Sequence, residues 1–334
     1  LNSKTMTRAI TLQDIRAARE RITGKVERTP IELSQSLSER CGVPVHLKLE
    51  HRQTTGSFKL RGASNAVASL SAEEKARGVI ASSTGNHGRA LAHAAKLEGM
   101  RAVICMSRMV PRNKLDEIRR LGADVRIIGD SQDEAQKEVE RLVAQEGLMM
   151  LPPFDHPDII AGQGTLGLEM IEQVPDAVLV LVQLSGGGLA SGIAGAVKGV
   201  SPGTKVIGVS MARGAAMKVS LDAGRPVEVE ELPTLADSLG GGIGLDNRLT
   251  FAMCRDLLDD VILLSEDEIA TGIRHAYEQE REIVEGAGAV GVAALLAGKV
   301  KANGPVVVLL SGRNIDMNTH RRIVCGKAIA ERDA

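Results

Sequence analysis

The sequence predicts an α/β protein made of two open, twisted parallel-sheet units with helices on both faces and a cleft between them. Three observations predict it. Short β-rich runs alternate with longer amphipathic stretches almost throughout. The strand-like runs of the C-terminal half are nearly continuous in apolar residues, as strands covered on both faces are. The length of 334 residues suits two such units.

In chain order, Val45–Glu50, Val79–Ser82, Arg101–Met106 and Asp124–Ile128 read as a first series of strands. The helical patterns Asn86–Glu98, Asn113–Leu121 and Gln132–Gln145 lie among them. Leu151-Pro152-Pro153-Phe154-Asp155-His156-Pro157 has three prolines and reads as the boundary. A second series follows, with strands Ala177–Leu184, Lys205–Ser210, Val261–Leu264 and Pro305–Leu310. Its helices are Leu189–Val200, Arg248–Leu258, Glu266–Glu280 and Ala287–Leu296. The loop Gly240-Gly241-Gly242-Ile243-Gly244 reads as a turn or lid.

Composition narrows the function. Aromatic residues make up 1% of the chain and the net charge is −1. Stacking platforms for single-stranded nucleic acid and a polyanionic partner are not expected. The four cysteines, Cys41, Cys105, Cys254 and Cys325, stand far apart in no metal-ligand spacing, which suits a reducing cytoplasm. Leu1 to Asp14 has no apolar signal core and no run reaches transmembrane length, so no membrane partner is expected.

Four segments carry chemistry. Thr54-Thr55-Gly56-Ser57-Phe58-Lys59-Leu60-Arg61-Gly62-Ala63 sets a lysine among small, mostly uncharged residues. Partial desolvation there lowers its pKa and supplies the neutral amine that a carbonyl cofactor needs for a Schiff base. Taken by itself, a solvated surface lysine is the commoner outcome. Ser82-Ser83-Thr84-Gly85-Asn86-His87-Gly88 follows a strand and opens a helix. It offers backbone N–H groups to a carboxylate, or else is a plain capped turn. Ser185-Gly186-Gly187-Gly188-Leu189 lies between strand and helix and can wrap a phosphate. A dinucleotide fold is its rival. That fold wants an acidic residue at the end of the next strand, which here reads Val209-Ser210-Met211-Ala212. Ser311-Gly312-Arg313-Asn314 follows an apolar strand, where open sheets present ligand-binding groups. Pyridoxal 5′-phosphate with an amino-acid substrate asks for all four at once: an amine, a phosphate loop, a donor for a ring nitrogen and a carboxylate turn.

The chain resembles the serine/threonine dehydratase and serine racemase family of pyridoxal-phosphate enzymes, of fold type II, over roughly Thr11 to Arg322. The resemblance rests on Ser57–Ala63, Thr84–Gly88, Ile160-Ala161-Gly162-Gln163-Gly164-Thr165, Ser185–Leu189 and Ser311–Asn314. Met106–Pro111 and Leu235–Gly244 look most like the hydroxyectoine-utilisation dehydratases. The resemblance implies a large cofactor-binding domain of residues 1–51 and 152–334, a small mobile domain of residues 52–151, and a homodimer. It implies that Lys59 holds the cofactor covalently and takes the Cα proton, with Phe58 packed beside the cofactor and Asn86 bonded to its ring hydroxyl. Gly186, Gly187, Gly188 and Leu189 would serve the phosphate, Ser311 the pyridine nitrogen, and Glu285 would lie near the ring. Ser83, Thr84 and His87, with Gly85 of their turn, would hold the substrate carboxylate. The reaction implied is loss of water from a β-hydroxy amino acid, giving a 2-oxo acid and ammonia.

Departures from the family refine this. Racemases carry serine where Thr84 stands, and the stiffer threonine makes racemisation the secondary alternative. Ser210–Ala216 lacks the carboxylates by which relatives bind a divalent cation, so no metal is expected there. Arg313 stands where relatives have glycine, and Arg52 replaces an apolar residue. Either guanidinium could grip a second carboxylate, as in a 3-hydroxyaspartate-like substrate, or merely cover the surface. The short stretch after Asn314 suggests a catabolic enzyme without a regulatory domain.

Overall fold

The computed structural model describes residues 10–83, 85–108, 112–130 and 132–326. Its strands are β1 (Ile31–Ser34), β2 (Val45–Lys48), β3 (Val79–Ser82), β4 (Ala102–Met106), β5 (Asp124–Ile127) and β6 (Met149–Met150). They continue with β7 (Leu179–Gln183), β8 (Lys205–Met211), β9 (Asp260–Leu264) and β10 (Val306–Leu309). One sheet has the order β1-β2-β10-β7-β8-β9 and the other β5-β4-β3-β6. Every pairing is parallel except that of β1 with β2.

Side-chain alternation places the layers. Leu179 and Leu181 of β7 face one core, with Ile269, Ile273 and Val290 from the helices Glu266–Glu278 and Gly286–Leu296. Val180 and Val182 face the opposite core, with Leu166, Met170 and Ile193 from the helices Pro157–Gln173 and Gly188–Val200. A central strand buried on both faces is apolar along its length, as β10 is throughout and β7 is up to Val182. The four-stranded sheet repeats the arrangement. Val79 and Ala81 pack toward the helices Lys59–Ser69 and Asn86–Leu97, while Ile80 and Val103 pack toward Ala135 and Val139.

Two features depart from the sequence reading. The strand at Val45 belongs to the six-stranded sheet, where Val306 pairs with Val45 and Leu309 with Lys48. Its place in the chain suggests the first series, but pairing with β10 covers an apolar strand that would otherwise be an edge. The boundary segment also opens straight into a helix of 17 residues, Pro157–Gln173. Pro157 stands at its start and the His156 ring accepts from the Asp158 N–H at 3.2 Å. That helix lies backbone to backbone on the helix of Lys59. A Cβ on Gly162 would stand 2.7 Å from the Arg61 carbonyl and from Gly62 Cα, so only glycine permits the approach.

Candidate active site

Lys59 is the first residue of its helix, and the turn before it is stitched to the loop after β10. Phe58 N–H donates to the Ser311 carbonyl at 3.0 Å, and Ser57 bridges to Gly312. Nζ of Lys59 donates to the Pro153 carbonyl at 2.7 Å and lies 5.2 Å from the centre of the Phe58 ring. Burial lowers its pKa from 10.5 to about 8, against the opposing pull of Glu285. A useful fraction of the amine is therefore neutral near physiological pH.

The glycine loop faces this amine across a cavity of about 280 Å³. Gly187 has φ of +88° and precedes the helix Gly188–Val200, whose N-terminal amides open toward the cavity wall. Phe154 packs against the loop. A Cβ on Gly188 would stand 2.9 Å from Phe154 Cα, and one on Gly186 would enter the phenyl ring.

The third wall is a hydrogen-bonded knot. Asn86 Nδ2 donates to Glu285 Oε1 at 2.7 Å, and Asn314 Nδ2 donates to Asn86 Oδ1 at 2.5 Å. Asn314 N–H donates to Glu285 Oε2 at 3.0 Å. Beside it, Ser83 Oγ accepts from Gly88 N–H at 3.0 Å and keeps its own proton to donate. His87 is buried, and its Nε2 donates to the Leu151 carbonyl at 2.8 Å. Burial and the nearby Lys59 push its pKa down to about 3, so the ring is neutral.

The structure brings most of the sequence-derived residues to this one cavity. Phe58, Lys59, Ser83, Gly85, Asn86 and His87 line it from one side. Gly186, Gly187, Gly188, Leu189, Glu285 and Ser311 line it from the other. Thr84 lies outside the described residues. Two expectations need correction. Arg313 is exposed and lines a separate surface hollow with His51, Arg89 and Glu282, because its N–H is tied to the Gly56 carbonyl at 2.9 Å. Arg52 pairs with Glu32 at 3.0 Å and also with Glu282. Neither guanidinium lines the central cavity. The His87 ring proton is committed to Leu151, so a carboxylate contact at this residue would fall to its backbone N–H.

Other wall residues escaped the sequence reading. Pro153 and Phe154 came from the segment read as a boundary, and Asp237, Ser238 and Leu239 from just before the loop read as a lid. Phe154 carried a usable signal, being one of three phenylalanines. Gln183 lines the cavity as well, with its Nε2 donating to the Leu309 carbonyl at 2.7 Å.

A family model described as pyridoxal-phosphate dependent enzyme matches residues 22–312. The chain is 64% identical over 318 residues to a Sinorhizobium fredii protein provisionally named threonine dehydratase, covering 95% of this chain and 96% of that one. It is 43% identical over 316 residues to L-threonine ammonia-lyase of Thermotoga maritima, covering 94% and 78%. The structure of maize serine racemase superposes with a TM-score of 0.90 at 33% identity, covering 96% and 98%. The cavity wall fits the cofactor that the family model names. It offers a desolvated amine for an aldehyde, a glycine loop packed too closely on Phe154 and Thr250 to admit a Cβ, and a buried serine at the end of β10. Sequence match, fold and wall chemistry agree that this chain belongs to the family of pyridoxal-phosphate dependent enzymes.

Proposed function

We propose that this enzyme removes water from a β-hydroxy amino acid, threonine or serine, and releases a 2-oxo acid and ammonia. The observation that carries the reading is the lowered pKa of Lys59, about 8, in a cavity faced by the glycine loop. The relatives named threonine dehydratase and L-threonine ammonia-lyase support it. The bound cofactor would supply the electron sink that stabilises charge at the substrate Cα. The chain's own residues do the rest. The Lys59 amine anchors the cofactor aldehyde and, once released, takes the Cα proton at Nζ. The amides of Gly186 to Leu189 hold the phosphate, and the Ser311 hydroxyl serves the ring nitrogen. Asn86 and Glu285 border the ring, and Ser83 with the N–H groups at Gly85 and Asn86 holds the substrate carboxylate.

Residues 52–151 act as the smaller, moving domain over a larger one of residues 1–51 and 152–334. The four-stranded sheet falls within the first and the six-stranded sheet within the second. The working protein is a cytoplasmic homodimer. No helix among the described residues is long and apolar enough to cross a membrane. The narrower substrate, a 3-hydroxyaspartate-like acid from hydroxyectoine breakdown, keeps the support of Met106–Pro111 and Leu235–Gly244. It loses its carboxylate grip, since Arg313 and Arg52 stand off the cavity. Amino-acid racemisation is the second reading, favoured by the fold shared with maize serine racemase.

The test is 2-oxo acid release from L- and D-serine, L-threonine and the four 3-hydroxyaspartates, with D-isomer formation followed in parallel. Threonine or serine should dominate, and Lys59→Ala should abolish release. Isomer interconversion without 2-oxo acid would replace the dehydratase reading with racemase. Dominant turnover of one hydroxyaspartate would restore the narrower substrate.

A further inference from the structure

We infer that Nδ1 of His87 is the hydrogen-bond acceptor that recognises the β-hydroxyl of the substrate. The inference rests on the dehydratase reading and names how that site selects its substrate. His87 is the second residue of the helix Asn86–Leu97, is 3% exposed and lines the central cavity. Its Nε2 lies 2.8 Å from the Leu151 carbonyl. A carbonyl only accepts, so the single ring proton of a neutral imidazole sits on Nε2. Nδ1 is then a pure acceptor, and it is buried with no partner among the described residues. A buried acceptor left unpaired is costly, and the site should supply its donor.

The substrate offers few candidates. Its carboxylate carries no proton and would be repelled by the Nδ1 lone pair. Its amino nitrogen is taken up by the cofactor aldehyde. On serine or threonine the β-hydroxyl is the donor that remains. A hydrogen bond from that hydroxyl to Nδ1 fixes the Cα–Cβ rotation and turns the oxygen lone pairs toward whatever protonates the leaving group. The neutral state is secure across the working range, because burial and Lys59 keep the ring from taking up a proton.

Two substitutions separate this role from a structural one. Glutamine reaches as far as Nε2, so His87→Gln keeps a donor for Leu151 and loses the Nδ1 acceptor. Asparagine reaches only as far as Nδ1, so His87→Asn does the reverse. The readout is the ratio of kcat/KM for L-serine to that for β-chloro-L-alanine, whose leaving group has no proton to donate. This ratio should fall about tenfold or more in His87→Gln and stay near the wild-type value in His87→Asn. An unchanged ratio in His87→Gln, or an equal fall in both variants, overturns the assignment. Should the asparagine variant not fold, the ratio in the glutamine variant decides. Wild-type enzyme that releases no 2-oxo acid from L-threonine, L-serine or β-chloro-L-alanine sinks the dehydratase reading, and the His87 role with it.

Discussion

Lys59 is held between two influences. Burial pulls its pKa down from 10.5 and Glu285 pulls it back, leaving it at about 8. The amine that reacts with an aldehyde is the neutral one, whose fraction grows as pH rises through that value. Cofactor capture by cofactor-free protein should therefore speed up from about pH 7 to 9 and level off above, followed by growth of the visible band. A flat rate over that range would mean that the cavity does not desolvate this lysine. His87, with a pKa of about 3, contributes no step to the profile near neutrality. Lys59 was legible because its neighbours are small and uncharged. The state of His87 was not, because it depends on a carbonyl 64 residues away. Arg313 misled because adjacency in sequence does not say which way a side chain leaves the backbone. Its N–H is bound to Gly56, and the side chain goes outward.

The helix that begins at Lys59 is fixed by a buried cluster of two cations and two carboxylates. Arg61 Nε donates to Glu50 at 2.7 Å and its Nη1 to Glu169 at 2.6 Å. Lys48 Nζ donates to Glu169 at 2.6 Å and to the Thr29 carbonyl at 2.7 Å. The pairing holds the Glu169 carboxyl below its usual pKa despite burial. Arg61→Met removes one cation and leaves two buried carboxylates to a single lysine. Breaking such a cluster from one side costs about 3–5 kcal/mol. The denaturant midpoint should fall accordingly with little change in slope. A loss under about 1 kcal/mol would show that water reaches the cluster and solvates its charges. The glycine loop is the second element under constraint. Gly188→Ala forces a Cβ against Phe154 backbone, which must move away from the cradle. Weaker cofactor binding in titration is the expected result, and unaltered binding would show that the cradle tolerates the shift. Period and apolarity made these strands and helices readable. The helix Pro157–Gln173 was hidden because its first residue falls in the proline-rich segment read as a boundary, although Pro157 starts it and Gly162 permits its packing.

At the scale of the molecule, alternation along the chain is enough to predict two parallel sheets. It does not allot β2 to the six-stranded sheet, since partners more than 250 residues away decide that (Val45 with Val306). Nor does it show how the two sheets are joined over the site. Asn314 makes that joint. It follows β10 of the larger sheet, and its Nδ2 donates to the Thr55 carbonyl at 3.0 Å and to Asn86. Its Oδ1 accepts from Arg89 Nη1 at 2.8 Å, and its N–H is held by Glu285. Asn86 and Arg89 belong to the helix packed on the smaller sheet. Burial lowers the Arg89 pKa, so this guanidinium depends on the partners it keeps. If the joint works as one unit, Asn314→Ala and Arg89→Ala should each cost about 1–3 kcal/mol. The double variant should cost less than their sum, with a coupling of about 0.5–3 kcal/mol. Strict additivity would mean that Arg89 is held by other groups and that the two halves close over the cavity without Asn314 between them.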